Sequence, residues 1–398
     1  MARISVSSEA EVVDAVRAAR EAVRTLEIVG HGTKRGFGRP IECDDVLDLS
    51  GLSGILKYEP DEMVITALAG TPVAEIEAAL AEKNQRLGFE PADWGPLYGA
   101  PRHSATIGGV LAADANGSAA IRYGRCRDHL LGFRAVNGFG EAYKAGGRVV
   151  KNVTGFDLPK LMCGAMGTLG PLMEVILRAF PKAEATSVVV VRGLDDDEGL
   201  ALIRRIWSAH LQATALLLLP KRLALRFPEF PAVGLGKVDG STALVRLDGS
   251  AATLSTKHDL LNELVTDLLV SPVENGDGLV AKAASVVSFG DTLEDVWLVH
   301  VPPTAASQVI ANVEGDWIVD WVGARIWIRD TPGVDAGWPY LARELGGSAV
   351  LVRASAETRR RIPPFTPESP VRAELTRRVK AAFDPLRLFN PGRMWDGV

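Results

Sequence analysis

Residues 146–170 read GGRVVKNVTGFDLPKLMCGAMGTLG. Glycine stands at 146, 147, 155, 164, 167 and 170, six positions in 25. Ordering glycine costs more chain entropy than ordering any other residue, so a regular helix or strand does not use this many. Each one predicts a tight turn or a close approach of backbone to something else. Gly155-Phe156-Asp157-Leu158 reads as the opening of a short helix, with the Asp157 carboxylate at its positive end. Gly164, Gly167 and Gly170 then strip side chains from the chain where it doubles back into the strand PLMEVILRAFPK, which Pro181 closes.

Two further glycine loops lie upstream. In IVGHGTKRGFG (residues 28–38) a short apolar strand runs into Gly30-His31-Gly32-Thr33-Lys34. Such a run presents several backbone N–H groups at once, a concavity that suits phosphate, with the Thr33 hydroxyl and the Lys34 charge beside it. The same residues also fit a tight turn with positive φ at Gly30 and Gly32. The order Gly-Thr-Lys is wrong for a P-loop, and Gly30, Gly32 and Gly36 are misspaced for a Rossmann fingerprint. In RHSATIGGVLAADANGS (residues 102–118), Thr106, Gly108 and Gly109 allow either close approach by a ligand or tight helix packing. Asn116-Gly117 marks a turn. Three separated glycine loops, each beside a strand end, together predict a long ligand held by backbone groups.

The surrounding pattern is α+β. Ser8–Glu11 reads as a capping box opening an amphipathic helix. Strands are expected near Leu26–Gly30, DVLDLS and EMVITALAG. A helix is expected to start at Thr71-Pro72, with Thr71 as N-cap and Val73, Ile76, Ala79 and Leu80 on its apolar face. LLGFRAVNGFGEAYKAGG predicts a hairpin turning at Asn137-Gly138. From residue 183 helices are expected near 195–211, 252–269 and 304–313. They alternate with the strands ATALLLLP, TALVRLDG, DVWLVHVP, DWIVDWVGARIWI and SAVLVRAS, giving a second α+β domain on an antiparallel sheet. RRRIPP reads as a solvated loop, and VRAELTRRVKAAF as a closing helix. The expected division is 1–182, 183–364 and a C-terminal segment 365–398.

Composition narrows the classes. The chain has 398 residues, 47% of them hydrophobic and 23% charged, with a net charge of −5, so no nucleic-acid surface is indicated. No run of about 18 apolar residues occurs, which argues against a membrane-spanning helix. The N-terminus lacks the layout of a signal peptide. Cys43, Cys126 and Cys163 form no C-x-x-C and fit free thiols in a reducing cytoplasm. The six histidines form no H-x-x-x-H or H-x-H pair, so no metal is expected.

Taken together, GHGTKRGFGRP, MVITALAGTPVAEIEAAL, ATIGGVLA, the opening stretch, DWVGARIWI and the terminal FNPGRM resemble the FAD-binding domain of the vanillyl-alcohol oxidase/p-cresol methylhydroxylase superfamily. More narrowly, they resemble the FAD-binding E subunits of bacterial glycolate oxidases. The resemblance implies a two-lobed PCMH-type FAD-binding domain, a cap domain, and a C-terminal segment that returns to the FAD domain. It implies that Gly30, His31, Gly32, Thr33 and Lys34 hold the pyrophosphate, and that Thr106, Gly108, Gly109, Asn116 and Gly117 line the flavin and ribityl chain. Gly164, Gly167, Thr168 and Gly170 would wrap the adenine end, with Val175 packed nearby. Lys151, Asn152, Gly155 and Asp157 would shape the flavin pocket. Some superfamily members attach FAD through a histidine in the first glycine loop, the place of His31; a polar loop residue making a hydrogen bond is the other reading.

The resemblance also implies partners. These are a catalytic D-type FAD subunit, an F-type iron–sulfur subunit, a small 2-hydroxy acid as substrate, and contact with the inner membrane only through the complex. The H-x-G-D-G-N-x-H signature of the catalytic relatives is missing here, so the catalytic residues are not visible. Arg325, flanked by Trp321 and Trp327, is the cap candidate for binding a carboxylate through two hydrogen bonds; a structural arginine is the other reading. Two alternatives stand beside the FAD-subunit reading. One is a structural partner that keeps no FAD. The other is a stand-alone FAD oxidase using Tyr58, Tyr98, Tyr123 or Asp157.

Overall fold

The computed structural model describes residues 1–148, 155–227, 240–265, 269–273, 276–284, 289 and 294–398. These fall into two compact units. The first comprises Met1–Asn116, Gly124–Lys182 and Glu368–Val398; the second comprises Gly117–Tyr123 and Ala183–Pro367.

The first unit holds two main sheets. In the smaller, Ala2–Ser5 and Leu26–Val29 both pair in parallel with the central strand Asp45–Asp48. The Glu9–Glu21 helix makes the crossover and buries Val12, Val16 and Ala19, one residue per turn on one face. Complete burial of a valine contributes about 1.5–3 kcal/mol, so this stripe, more than helix propensity, seats the helix. Ser8 caps it by accepting from the Glu11 amide at 3.3 Å. The Glu11 carboxylate returns to the Ser7 amide, one residue before the partner expected of a capping box.

The larger sheet is antiparallel, in the order Ile55–Glu59, Val64–Leu68, Leu172–Arg178, Leu130–Val136 and Ala142–Gly146. Its last two strands form the expected hairpin. Asn137 Oδ1 accepts from the Phe139 and Glu141 amides and shapes that turn. The next helix, Val73–Ala81, starts one residue later than expected, with Pro72 at the N-cap. Thr71 does not cap it: its hydroxyl bonds the Leu68 carbonyl at 2.7 Å and the Gly54 amide at 2.9 Å, bracing the turn instead.

The second unit is built on an eight-stranded antiparallel sheet. One face carries its core: Val189, Leu216, Val245, Trp297, Val319 and Ile326, under helices that include Asp196–Ser208 and Ala251–Leu264. The run DWIVDWVGARIWI, read as one strand, is two strands, Trp317–Asp320 and Arg325–Asp330, paired as a hairpin. Trp321, Val322 and Gly323 all take positive φ (49°, 61° and 98°), which breaks the strand. Asp320 Oδ1 holds the turn through the Trp321 amide at 2.6 Å. RRRIPP is likewise not all loop: Ala356–Arg361 is a helix capped by Ser355, with Arg359 buried and bonded to the Ala354 carbonyl.

The closing helix spans Pro370–Phe383 and belongs to the first unit. Among the described residues, no helix is long and apolar enough to cross a membrane.

Candidate functional site

The first unit contains a deep pocket with three walls. Residues 28–35 form one. Thr106, Gly108, Gly109, Ala112 and Ala113 form the second. Met162, Ala165, Met166, Gly167 and Gly170 form the third, with Asn390 and Arg393 closing the side.

The first wall follows from its strand. Leu26–Val29 pairs with Asp45–Asp48 up to Val29, and the ladder then stops. Among the described residues, the backbone N–H groups of Gly30, His31, Gly32, Thr33 and Lys34 donate to no protein acceptor. Five successive amides with no protein acceptor along a pocket wall offer donors to an anionic ligand. Gly30 has to lack a side chain: a Cβ there would lie 2.6 Å from Thr106 Oγ1. That contact brings the first two walls together. Thr106 caps the Ile107–Ala113 helix by accepting from the Gly109 amide at 3.2 Å.

Lys34 supplies charge. Its ammonium makes one hydrogen bond, to Thr33 Oγ1 at 3.4 Å. Burial pushes its pKa down to about 8, against the opposing pull of Asp93. Lys34 is half-buried and in no ion pair with a carboxylate, which suits it to an anionic ligand. Arg35, by contrast, is satisfied by Glu27. His31 is exposed, and its Nδ1 lies 2.8 Å from the Ser104 carbonyl oxygen, a geometry that fixes Nδ1 as the protonated nitrogen.

The third wall doubles back through Gly170, where φ is 132° and a Cβ would sit 2.2 Å from the Val136 carbonyl oxygen. Only glycine fits there, and this turn feeds the Leu172–Arg178 strand.

Of the residues singled out in the sequence, Gly30–Lys34, Thr106, Gly108, Gly109, Gly167 and Gly170 line this pocket. The others that are described do not line it. The Asn116 side chain is spent on Asp114 and on the Cys126 amide. Gly117 belongs to the second unit. Asp157 caps the short Leu158–Met162 helix and pairs with Lys160 at 2.9 Å. Gly155 is exposed, and the Gly164 amide bonds the Leu111 carbonyl. Thr168 and Val175 are buried behind the third wall. Lys151 and Asn152 lie outside the described residues. Sequence reading missed Met162, Ala165, Met166, Asn390 and Arg393 as lining residues. FNPGRM was the one available signal for the last two.

In the second unit Arg325 is 2% exposed and already holds a carboxylate, that of Asp320. Its guanidinium carbon lies 4.0 Å from the centre of the Trp321 ring. Ser118 Oγ bonds Asp320 Oδ2 at 2.7 Å, and Trp321 Nε1 donates to the Gly117 carbonyl at 3.2 Å. This arrangement makes Arg325 the internal partner of Asp320. Among the described residues no group of His, Cys, Asp and Glu is arranged to hold a metal ion.

Known proteins carry the same fold. A p-cresol methylhydroxylase with substrate bound superposes with a TM-score of 0.72 at 15% identity, covering 99% of this chain and 88% of that one. An alkyldihydroxyacetonephosphate synthase gives 0.71 at 15% identity, over 98% and 75%. An FAD binding domain family matches residues 2–146. The D-lactate dehydrogenase of Archaeoglobus fulgidus is 24% identical over 419 residues, covering 98% of this chain and 90% of that protein. The glycolate oxidase subunit GlcE of Escherichia coli K12 is 31% identical over 371 residues, covering 93% of this chain and 92% of that protein. The open amides and Lys34 could receive an anionic part of a cofactor, and the chain belongs to the family of the glycolate oxidase subunit GlcE, as an FAD-binding oxidoreductase subunit of the 2-hydroxy acid type.

Proposed function

We propose that this chain is the auxiliary FAD subunit of a multi-subunit 2-hydroxy acid dehydrogenase, with glycolate the leading substrate. It would hold FAD, complete the assembly, and relay electrons from a catalytic flavoprotein partner to an iron–sulfur subunit. The observation that carries the reading is the row of five amides at Gly30–Lys34 with no protein acceptor, beside the half-buried Lys34 ammonium.

In this reading the amides and the Thr33 hydroxyl hold the pyrophosphate, and Lys34 neutralises it. Thr106, Gly108 and Gly109 admit the flavin and ribityl portion. The 164–170 turn, bare of side chains at its glycines, wraps the adenine end. When bound, FAD supplies uptake of a hydride equivalent and one-electron release. The chain's own residues bind it, orient it and exclude water.

An auxiliary role, as opposed to independent catalysis, is supported by two things. The sequence lacks the histidine signature of the catalytic relatives, and the cap arginine is occupied by Asp320. The iron–sulfur carrier would be another chain, since this one has three cysteines, of which Cys126 and Cys163 are neighbours, and a cluster is commonly held by four. The test is anaerobic addition of glycolate to the purified flavin-loaded chain. Its flavin absorbance should persist with the chain alone and bleach once the catalytic flavoprotein subunit is added. Bleaching of the chain alone would overturn the auxiliary role.

A further inference from the structure

The C-terminal residues that touch the pocket arrive there by an unusual device. Lys380 is 1% exposed and Asp384 fully buried, one helical turn apart at the end of the Pro370–Phe383 helix. Lys380 Nζ makes three hydrogen bonds: to the Thr168 carbonyl at 2.6 Å, to Asp384 Oδ2 at 2.8 Å and to the Phe389 carbonyl at 2.9 Å. That is the full donor capacity of an ammonium group. Asp384 in turn accepts from the Leu388 amide at 2.9 Å and the Phe389 amide at 2.8 Å. One buried pair therefore ties the 162–170 turn that carries the third wall, at Thr168, to the tail.

The tail continues from that clamp along the first wall. Leu388 and Asn390 flank Leu26 as an added parallel edge, through bonds of 2.7 and 3.0 Å. Asn390, at φ 42°, accepts from the Ile28 amide at 2.9 Å and donates to the Met166 carbonyl at 2.7 Å, so one side chain bridges the first and third walls. Gly167 leaves room for it, since a Cβ there would lie 2.7 Å from Asn390 Nδ2. Arg393 then donates to the Arg35 carbonyl at 3.0 Å.

We infer that Lys380 and Asp384 are positioning residues of the cofactor site, locking residues 388–393 in the register that holds the glycine loop against the 162–170 turn. The inference rests on reading this pocket as the FAD site. Stability alone does not account for the pair, because an apolar pair of similar volume often serves a core as well or better. A lysine that spends all its bonds on one pocket wall, one carboxylate and one tail carbonyl instead fixes where the tail lies.

The test is a titration of FAD into the full apo chain, following flavin fluorescence and the visible spectrum, for the unmodified protein, Lys380→Met and a control, Leu80→Ala. Leu80 is buried in a helix that contributes nothing to the pocket lining. Lys380→Met should raise the Kd for FAD at least tenfold and shift the bound flavin's visible bands. Leu80→Ala, at similar loss of melting temperature, should leave Kd within threefold. An unchanged Kd in Lys380→Met, or equal weakening in both variants, overturns the inference. If Lys380→Met does not fold, Asp384→Asn is read in its place: it keeps one acceptor oxygen, replaces the other with a donor and drops the charge, and has to weaken FAD binding at least threefold. An unmodified chain that takes up no FAD overturns the reading of the pocket and the inference with it; binding that is equal in all variants overturns the inference alone.

Discussion

Replacing Lys34 with methionine keeps the aliphatic stem and removes one charge from the pocket. The ammonium has no carboxylate partner and a single 3.4 Å hydrogen bond, so its deletion orphans nothing in the protein. A hydrogen bond to a charged group contributes about 1.5–3 kcal/mol, so Lys34→Met should weaken FAD binding by roughly 10- to 150-fold. The pH profile sharpens the test. Free Lys34 has its pKa lowered to about 8 by burial, from an ordinary 10.5, and a bound pyrophosphate favours the charged form. FAD affinity should therefore be fully present below pH 8 and fall above it. Between pH 7 and 9 the protonated fraction of a group with pKa 8 drops about tenfold, and Kd should rise by about that factor. Stability of the apo chain moves the other way. The unfolded state binds the proton more tightly between pH 8 and 10.5, so this group's destabilising effect is relieved as pH rises through that window. Calorimetric titration with FAD at pH 7, 8 and 9 reads the binding effects. A Lys34→Met Kd within twofold of the original, or an equal pH slope in both proteins, would refute the role given to Lys34.

Three further outcomes are expected. Gly30→Ala puts a Cβ 2.6 Å from Thr106 Oγ1 and should lower stability by about 1–3 kcal/mol in urea unfolding while abolishing FAD uptake. Arg325→Met strands the buried Asp320 carboxylate and should cost about 3–5 kcal/mol, whereas the double change with Asp320→Leu should recover only part of it, because Ser118 and the Trp321 amide lose their acceptor; a double mutant less stable than Arg325→Met would refute the stranded-charge account. Saturating the apo chain with FAD at about 100 times Kd should raise its unfolding free energy by about 2.7 kcal/mol, seen as a higher Tm; a Tm unmoved by FAD would exclude specific binding to the folded chain.

Much of the site was legible because its constraints are local. Glycine at 30 and 170 reports a steric demand that any reader of the sequence can register, and the walls follow from it. What lay hidden was set by distance along the chain. Asn390 meets Ile28 across 362 positions, and nothing in either neighbourhood announces that bond. The family resemblance implied a flavin-lining role for Asn116, but its amide is consumed by Asp114 and by the Cys126 backbone N–H. The break at Trp321 and Val322 was obscured by residue type, since aromatic and β-branched residues favour extended chain. Asp320 before them and Gly323 after them were the quieter signs of a hairpin. Arg325 was read as a candidate for a substrate carboxylate, with a structural arginine as the alternative, and its guanidinium is paired with an internal carboxylate. Its carboxylate sits five residues away, across that hairpin.

The most direct measurement is the flavin content of the purified chain after incubation with FAD and removal of the excess. One FAD per chain, released on heating and lost in Gly30→Ala, is the expected result. A chain that retains no flavin, or retains it equally with Gly30 substituted, would contradict the assignment of the Gly30–Lys34 amides as the cofactor's anchor.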